Sequence, residues 1–117
     1  MSAPLENYLR TQRRRSGFSQ DEIAFLLGSL SGGKVSRYEH RVRRPTLETA
    51  LAYEAIFQVP VSALFAGLYR KVEKEIIARA EDLAERLVSA NTVRVSSHKL
   101  AALRAISTRQ PASQTKR

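Results

Sequence analysis

The sequence predicts an all-helical protein, and three features carry that expectation. No stretch alternates apolar and polar residues for long enough to make a strand. Apolar residues recur instead at spacings of three and four, which place them on one face of a helix. Apart from Pro4 and Pro111 near the ends, glycine and proline fall at Gly17, Gly28, Gly32, Gly33, Pro45, Pro60 and Gly67, so short helices should precede longer ones.

The first helix is expected over residues 5–15, with Leu5 and Leu9 on one face and Gly17 as its stop. Ser19 is a good N-cap for the second, because Glu22 stands three residues later as in a capping box. Ile23, Ala24, Leu26 and Leu27 form its apolar face, and Gly28 ends it. Ser31 caps a third helix running through His40, with Val35 and Tyr38 turned inward and Lys34, Ser36, Arg37 and Arg41 outward. A turn of Arg43, Arg44 and Pro45 leads to Thr46, the cap of a fourth helix. Its apolar set is Leu47, Ala50, Leu51, Ala52, Ile56 and Phe57, and Pro60 closes it.

Residues 62–90 read as one long helix. Phe65, Tyr69, Val72, Ile76, Ala80, Leu83 and Leu87 recur at about 3.7 residues on average, nearer a straight helix than a left-handed coiled coil, so a long zipper is disfavoured. A stripe packing on a partner remains open. Glu75 with Arg79 and Asp82 with Arg86 place an acid four residues before a base, which supports a helix. Asn91 is a suitable end. A short last helix is expected over residues 98–107 with Leu100, Leu103 and Ile106 inside, and residues 111–117 read as a disordered tail.

Composition limits the partners. The 117 residues hold 20 Lys and Arg against 11 Asp and Glu, a formal net charge of +9, which favours an acidic partner and above all a polyphosphate backbone. Residues 69–117 carry 11 of the bases against 5 acids, so this arm can also lie along DNA. With no cysteine, disulfides, thiol catalysis and zinc-finger spacings are excluded, and His40 and His98 form no metal motif. No apolar stretch approaches the roughly 18 residues of a membrane span. The expectation is a soluble, cytoplasmic protein with no membrane association, no cofactor and no metal. Residues 28–34 nearly spell a phosphate loop, but Val35 replaces its hydroxyl residue and a helix rather than a strand precedes it. Glu81 and Asp82 lie on a solvated helix face and no catalytic triad is suggested, so an enzyme is not expected.

Two short helices joined by a tight turn, the second offering basic and polar side chains, are what a helix-turn-helix needs to enter the major groove. GFSQDEIAFLLG followed by KVSRYEHRVRRPTLETALAYEAIFQVPVSALF resembles the Cro and phage-repressor (XRE-type) family of DNA-binding domains. The resemblance covers roughly residues 5–68. Its signals come in order: the Ser19 and Gln20 pair, the Ser-Arg-x-Glu run of residues 36–39, the basic-proline turn, and Val59 followed by Leu64 and Phe65.

The resemblance implies a five-helix repressor-like helix-turn-helix domain, expected over residues 1–68; the residues themselves suggest that the helical extension over residues 69–110 is a candidate dimerisation arm. Ser31 to Glu39 would be the recognition helix. Ser19 and Gln20 would meet phosphate, Arg13 and Glu39 would form a structural ion pair, and Arg43 and Arg44 would hold phosphate or form a solvated basic turn. The sequence also departs from the family's pattern. Ser29 and Leu30 stand where one residue usually serves. Gly32 and Gly33 occupy positions that commonly project base-reading side chains, so readout falls to Lys34, Ser36 and Arg37, or the backbone comes closer to DNA. Two glycines also weaken a helix, and a first turn that orders only on DNA is expected. Arg41 replaces a common glycine, adding a phosphate contact at the cost of easy turning. Arg37 is the first candidate for guanine, with a phosphate clamp as its alternative, while Lys34 and Ser36 stay open between base and phosphate.

The expected function is a homodimeric, sequence-specific regulator of transcription on double-stranded DNA, bacterial or phage-encoded. Alternatives are an antitoxin or phage-type autorepressor whose arm holds a partner protein, and an interaction module that has lost DNA reading.

Overall fold

The structure, a computed structural model, describes residues 3–29, 31–90 and 97–109. These form seven helices and no strand: α1 (Leu9–Ser16), α2 (Gln20–Leu27), α3 (Gly32–Glu39), α4 (Leu47–Phe57), α5 (Val61–Leu64), α6 (Ala66–Ser89) and α7 (Ser97–Ser107). Contacts divide the chain after Tyr69 into two units.

In the first unit, the helix ends follow local chemistry. The Ser19 hydroxyl accepts the Glu22 amide at 3.0 Å while the Glu22 carboxylate accepts the Ser19 amide at 2.8 Å, a complete capping box. Thr46 Oγ1 accepts the Thr49 amide at the start of α4. Gly17 and Gly28 end α1 and α2 at φ of 82° and 80°, a left-handed conformation that glycine adopts without strain. The helices enclose a core of Leu9, Ile23, Ala24, Val35, Tyr38, Ala50, Tyr53, Phe57, Leu64 and Phe65. Tyr38 meets Tyr53 edge-on, and Tyr53 stacks on Phe57.

Several boundaries differ from the sequence-based expectation. α1 begins at Leu9 because the residues before it pair elsewhere: the Tyr8 amide donates to the Leu64 carbonyl at 2.7 Å and the Gly67 amide to the Leu5 carbonyl at 2.8 Å. A side chain at Gly67 would strike that carbonyl, so glycine permits the close approach. α4 stops before Pro60, at Gln58, whose φ is 59°. Its inner face is Ala50, Tyr53 and Phe57, whereas Leu47 and Leu51 are exposed. The expected long helix is interrupted at Phe65, where φ is −115° and ψ is 46°, so α5 and α6 are separate. Burial of both Leu64 and Phe65 rewards that turn.

In the second unit, Glu73 and Ala80 of α6 and Leu103 of α7 are buried. Arg109 closes on Glu73 at 2.9 Å, and Asp82 pairs with Arg86 at 3.1 Å. Val72, Ile76, Leu83 and Val88 stay exposed along α6. The expected helix end at Asn91 and the tail of residues 111–117 lie outside the described residues.

Candidate nucleic-acid interface

α3 is a helix with two different sides. Gly32, Val35, Tyr38 and Glu39 are buried, while Gly33, Lys34 and Arg37 are exposed. Spacing of three and four makes this division, since 32, 35 and 39 share one face and 33 and 37 another. Among the described residues no carboxylate pairs with Lys34 or Arg37, so both cations are available to an outside anion.

Both ends of α3 are held from within. At the C-terminal end, Arg13 grips Glu39 through Nε at 2.6 Å and Nη2 at 3.2 Å, and its Nη1 donates to the Phe18 carbonyl at 3.1 Å. The Glu39 side chain is 1% exposed, and a buried, bidentate pair of this kind fixes direction because loss of one partner leaves the other charge uncompensated. Gln20 Nε2 donates to the same carboxylate at 3.2 Å, so this amide, expected at phosphate, is turned toward Glu39. Asn7 adds a third strut, donating to the Tyr38 carbonyl at 3.1 Å.

At the other end, Ser31 occupies the N-cap position without a side-chain bond, and the carboxylate of Asp21 on α2 accepts the Gly32 amide at 2.9 Å instead. Here two expectations are corrected. Gly32 is not an outward DNA-facing position: it is buried, and a Cβ there would fall 2.6 Å from Asp21 Oδ1 and 3.1 Å from Gln20 Cβ. Nor is the first turn irregular in this structure: α3 is helical from Gly32 onward, and the Asp21 carboxylate accepts the Gly32 amide.

The remaining candidates divide. Ser36 is half-buried, with its hydroxyl 3.4 Å from His40 Nδ1, which also lies 2.8 Å from the Ser36 carbonyl, so Ser36 is directed along α3 rather than away from it. The Ser19 hydroxyl serves its own helix as a cap. Arg41 is exposed at φ 62°, the turning cost expected of an arginine in a glycine-like place. Arg43 is exposed, and Arg44 makes a solvent-accessible pair with Glu6 at 3.2 Å, which a phosphate can displace at small cost. Gly33, Lys34, Arg37, Arg41 and Arg43 therefore remain outward, with Ser31 exposed beside them.

Residues 9–64 match the family model described as Helix-turn-helix. The domain belongs to the Cro and phage-repressor type of that family. No curated protein and no solved structure matches the chain significantly. Helix-turn-helix domains of this type bind DNA and regulate transcription rather than catalyse reactions, and α2 and α3 are the two helices of the motif here. No helix among the described residues is long and apolar enough to cross a membrane. Among those residues, no three His, Cys, Asp or Glu side chains group as metal ligands.

Sequence reasoning missed Asp21 and Asn7. Asp21 reads locally as an ordinary acid in a first helical turn, and only the proximity of Gly32 reveals its second task.

Proposed function

We propose that the chain is a sequence-specific regulator of transcription that binds double-stranded DNA as a homodimer, with α3 in the major groove of each half of a pseudo-palindromic operator. One observation carries this reading: the outer side of α3 offers Lys34 and Arg37 with no carboxylate partner among the described residues, while Arg13, Gln20, Asn7 and Asp21 hold the helix from behind. A rod with free cations on one side and fixed ends suits insertion into a polyanionic groove. Arg37 contacts guanine, and Arg41, Arg43 and Arg44 contact phosphate. Repression follows when the operator overlaps a promoter, on a bacterial or phage chromosome in the cytoplasm.

One recognition helix spans only a few base pairs, so two are needed for specificity. The exposed stripe of Val72, Ile76 and Leu83 on α6, within the helical extension of residues 69–110, supports that pairing. The same stripe favours a second reading, an antitoxin or phage-type autorepressor whose extension holds a different protein. Selection of bound fragments from random duplex DNA tests the proposal. A symmetric motif is expected, lost in Arg37→Ala. Arg43→Ala instead weakens binding to all sequences and makes the salt dependence shallower by about one phosphate. Binding unchanged by both substitutions would reject the reading.

A further inference from the structure

The two glycines of α3 have different reasons to be there. Gly32 has a reason in the fold, since a Cβ there would displace Asp21 Oδ1, the acceptor of its own amide, and stand tight against Gln20 Cβ. Gly33 has none. A Cβ at Gly33 would meet only Ser31 Oγ at 3.7 Å and Arg37 Nη1 at 3.8 Å, both ordinary contacts, and the residue has no left-handed φ to explain it. Glycine is nonetheless among the least favourable residues in a helix. α3 therefore tolerates a destabilising residue, on its exposed side, for which its own packing gives no cause.

We infer that Gly33 and Arg37 together read a thymine next to a guanine, the bare Cα of Gly33 receiving the thymine methyl group. The inference rests on α3 being the major-groove helix. Gly33 and Arg37 lie one turn apart, so the missing side chain leaves a notch floored by backbone, with the Arg37 guanidinium on one side and the Ser31 hydroxyl on another. A guanidinium that bonds guanine O6 and N7 lies in the plane of that base and turns its flat face toward the neighbouring base, where it stacks well. The C5 methyl of thymine is the one apolar group on the major-groove edge of unmodified DNA. A methyl-sized notch, floored by the Gly33 Cα and set beside an arginine, thus matches a thymine–guanine step.

The test uses the full chain and the duplex recovered by random selection, with each thymine replaced in turn by deoxyuridine, which removes only the methyl group. For the native chain, one thymine adjacent to guanine in each half-site should lose about fourfold in affinity on replacement. Gly33→Ala should bind the thymine duplex about tenfold more weakly, with the replacement at that site then costing nothing or restoring affinity, because the alanine fills the notch. The same variant should melt about 3 °C higher, which separates lost recognition from lost folding. A preferred motif lacking thymine beside guanine, indifference of the native chain to every replacement, or native affinity in Gly33→Ala would overturn this inference while leaving the regulator reading intact. A selection that returns no preferred sequence overturns both.

Discussion

At the scale of single residues, two side chains carry consequences that burial and backbone angle make measurable. Arg41 holds φ 62°, where an L side chain is strained and glycine is not. Arg41→Gly should raise the unfolding free energy by about 0.5–1 kcal/mol, net of the greater freedom of glycine in the unfolded chain, as read from urea denaturation. Tyr53 is 1% exposed, its hydroxyl finds no hydrogen-bond partner among the described residues, and burial, reinforced by the Glu39 carboxylate, pushes its pKa up. The unfolded chain then releases this proton near pH ~10 while the folded chain retains it. The tyrosine's share of stability is therefore whole below pH ~10 and declines as pH rises beyond it. Tyr53→Phe should be more stable than the native chain by up to about 1–3 kcal/mol at neutral pH, since a buried hydroxyl without a partner is removed, and the two curves should separate further in alkali, with the native chain falling faster. Parallel curves through that range would refute the assignment. Sequence reading saw the cost at Arg41, because a glycine is common there in the family it resembles. It left Tyr53 out of the apolar face of α4, because the hydroxyl disguises a ring that packs between Tyr38 and Phe57.

At the scale of elements, the clearest dependence runs from α2 to α3. Asp21 sits in the first turn of α2 and also accepts the Gly32 amide. Asp21→Ala should cost about 1–2 kcal/mol, and hydrogen exchange should quicken selectively at Gly32, Gly33 and Lys34 rather than throughout α2. Equal protection of those amides in both proteins would show that the carboxylate does not hold the turn. Elements whose ends are written in neighbouring residues were legible: the Ser19 and Glu22 box, the Thr46 cap and the two left-handed glycines all stand close to where local chemistry puts them. Elements bounded by distant contacts were not. The late start of α1 depends on Leu64 and Gly67, and the break at Phe65 depends on which of two adjacent large residues the core accepts, here both. Spacing alone carries a helix straight through such a place, because periodicity records faces and not interruptions.

At the scale of the whole molecule, the pattern of exposed apolar residues bears on association. Val72, Ile76 and Leu83 are each 45% exposed on α6. If this stripe joins two copies, Ile76→Glu should shift sedimentation from dimer to monomer and weaken operator binding, while the melting of residues 1–69 changes little. A native chain that sediments as a monomer across micromolar concentrations would remove the homodimer from the proposal. The candidate interface itself was partly visible in advance: the outward placement of Lys34 and Arg37 follows from helical spacing, whereas the inward turn of Gln20 and the burial of Gly32 follow from α2 packing that no local pattern encodes. The double-sided character of α3 reaches further. Positions 33, 34 and 37 are exposed and bear no weight in the interior, so if α3 reads DNA as proposed, a library randomised at those three places should return mostly folded clones with altered targets, without renegotiating the scaffold.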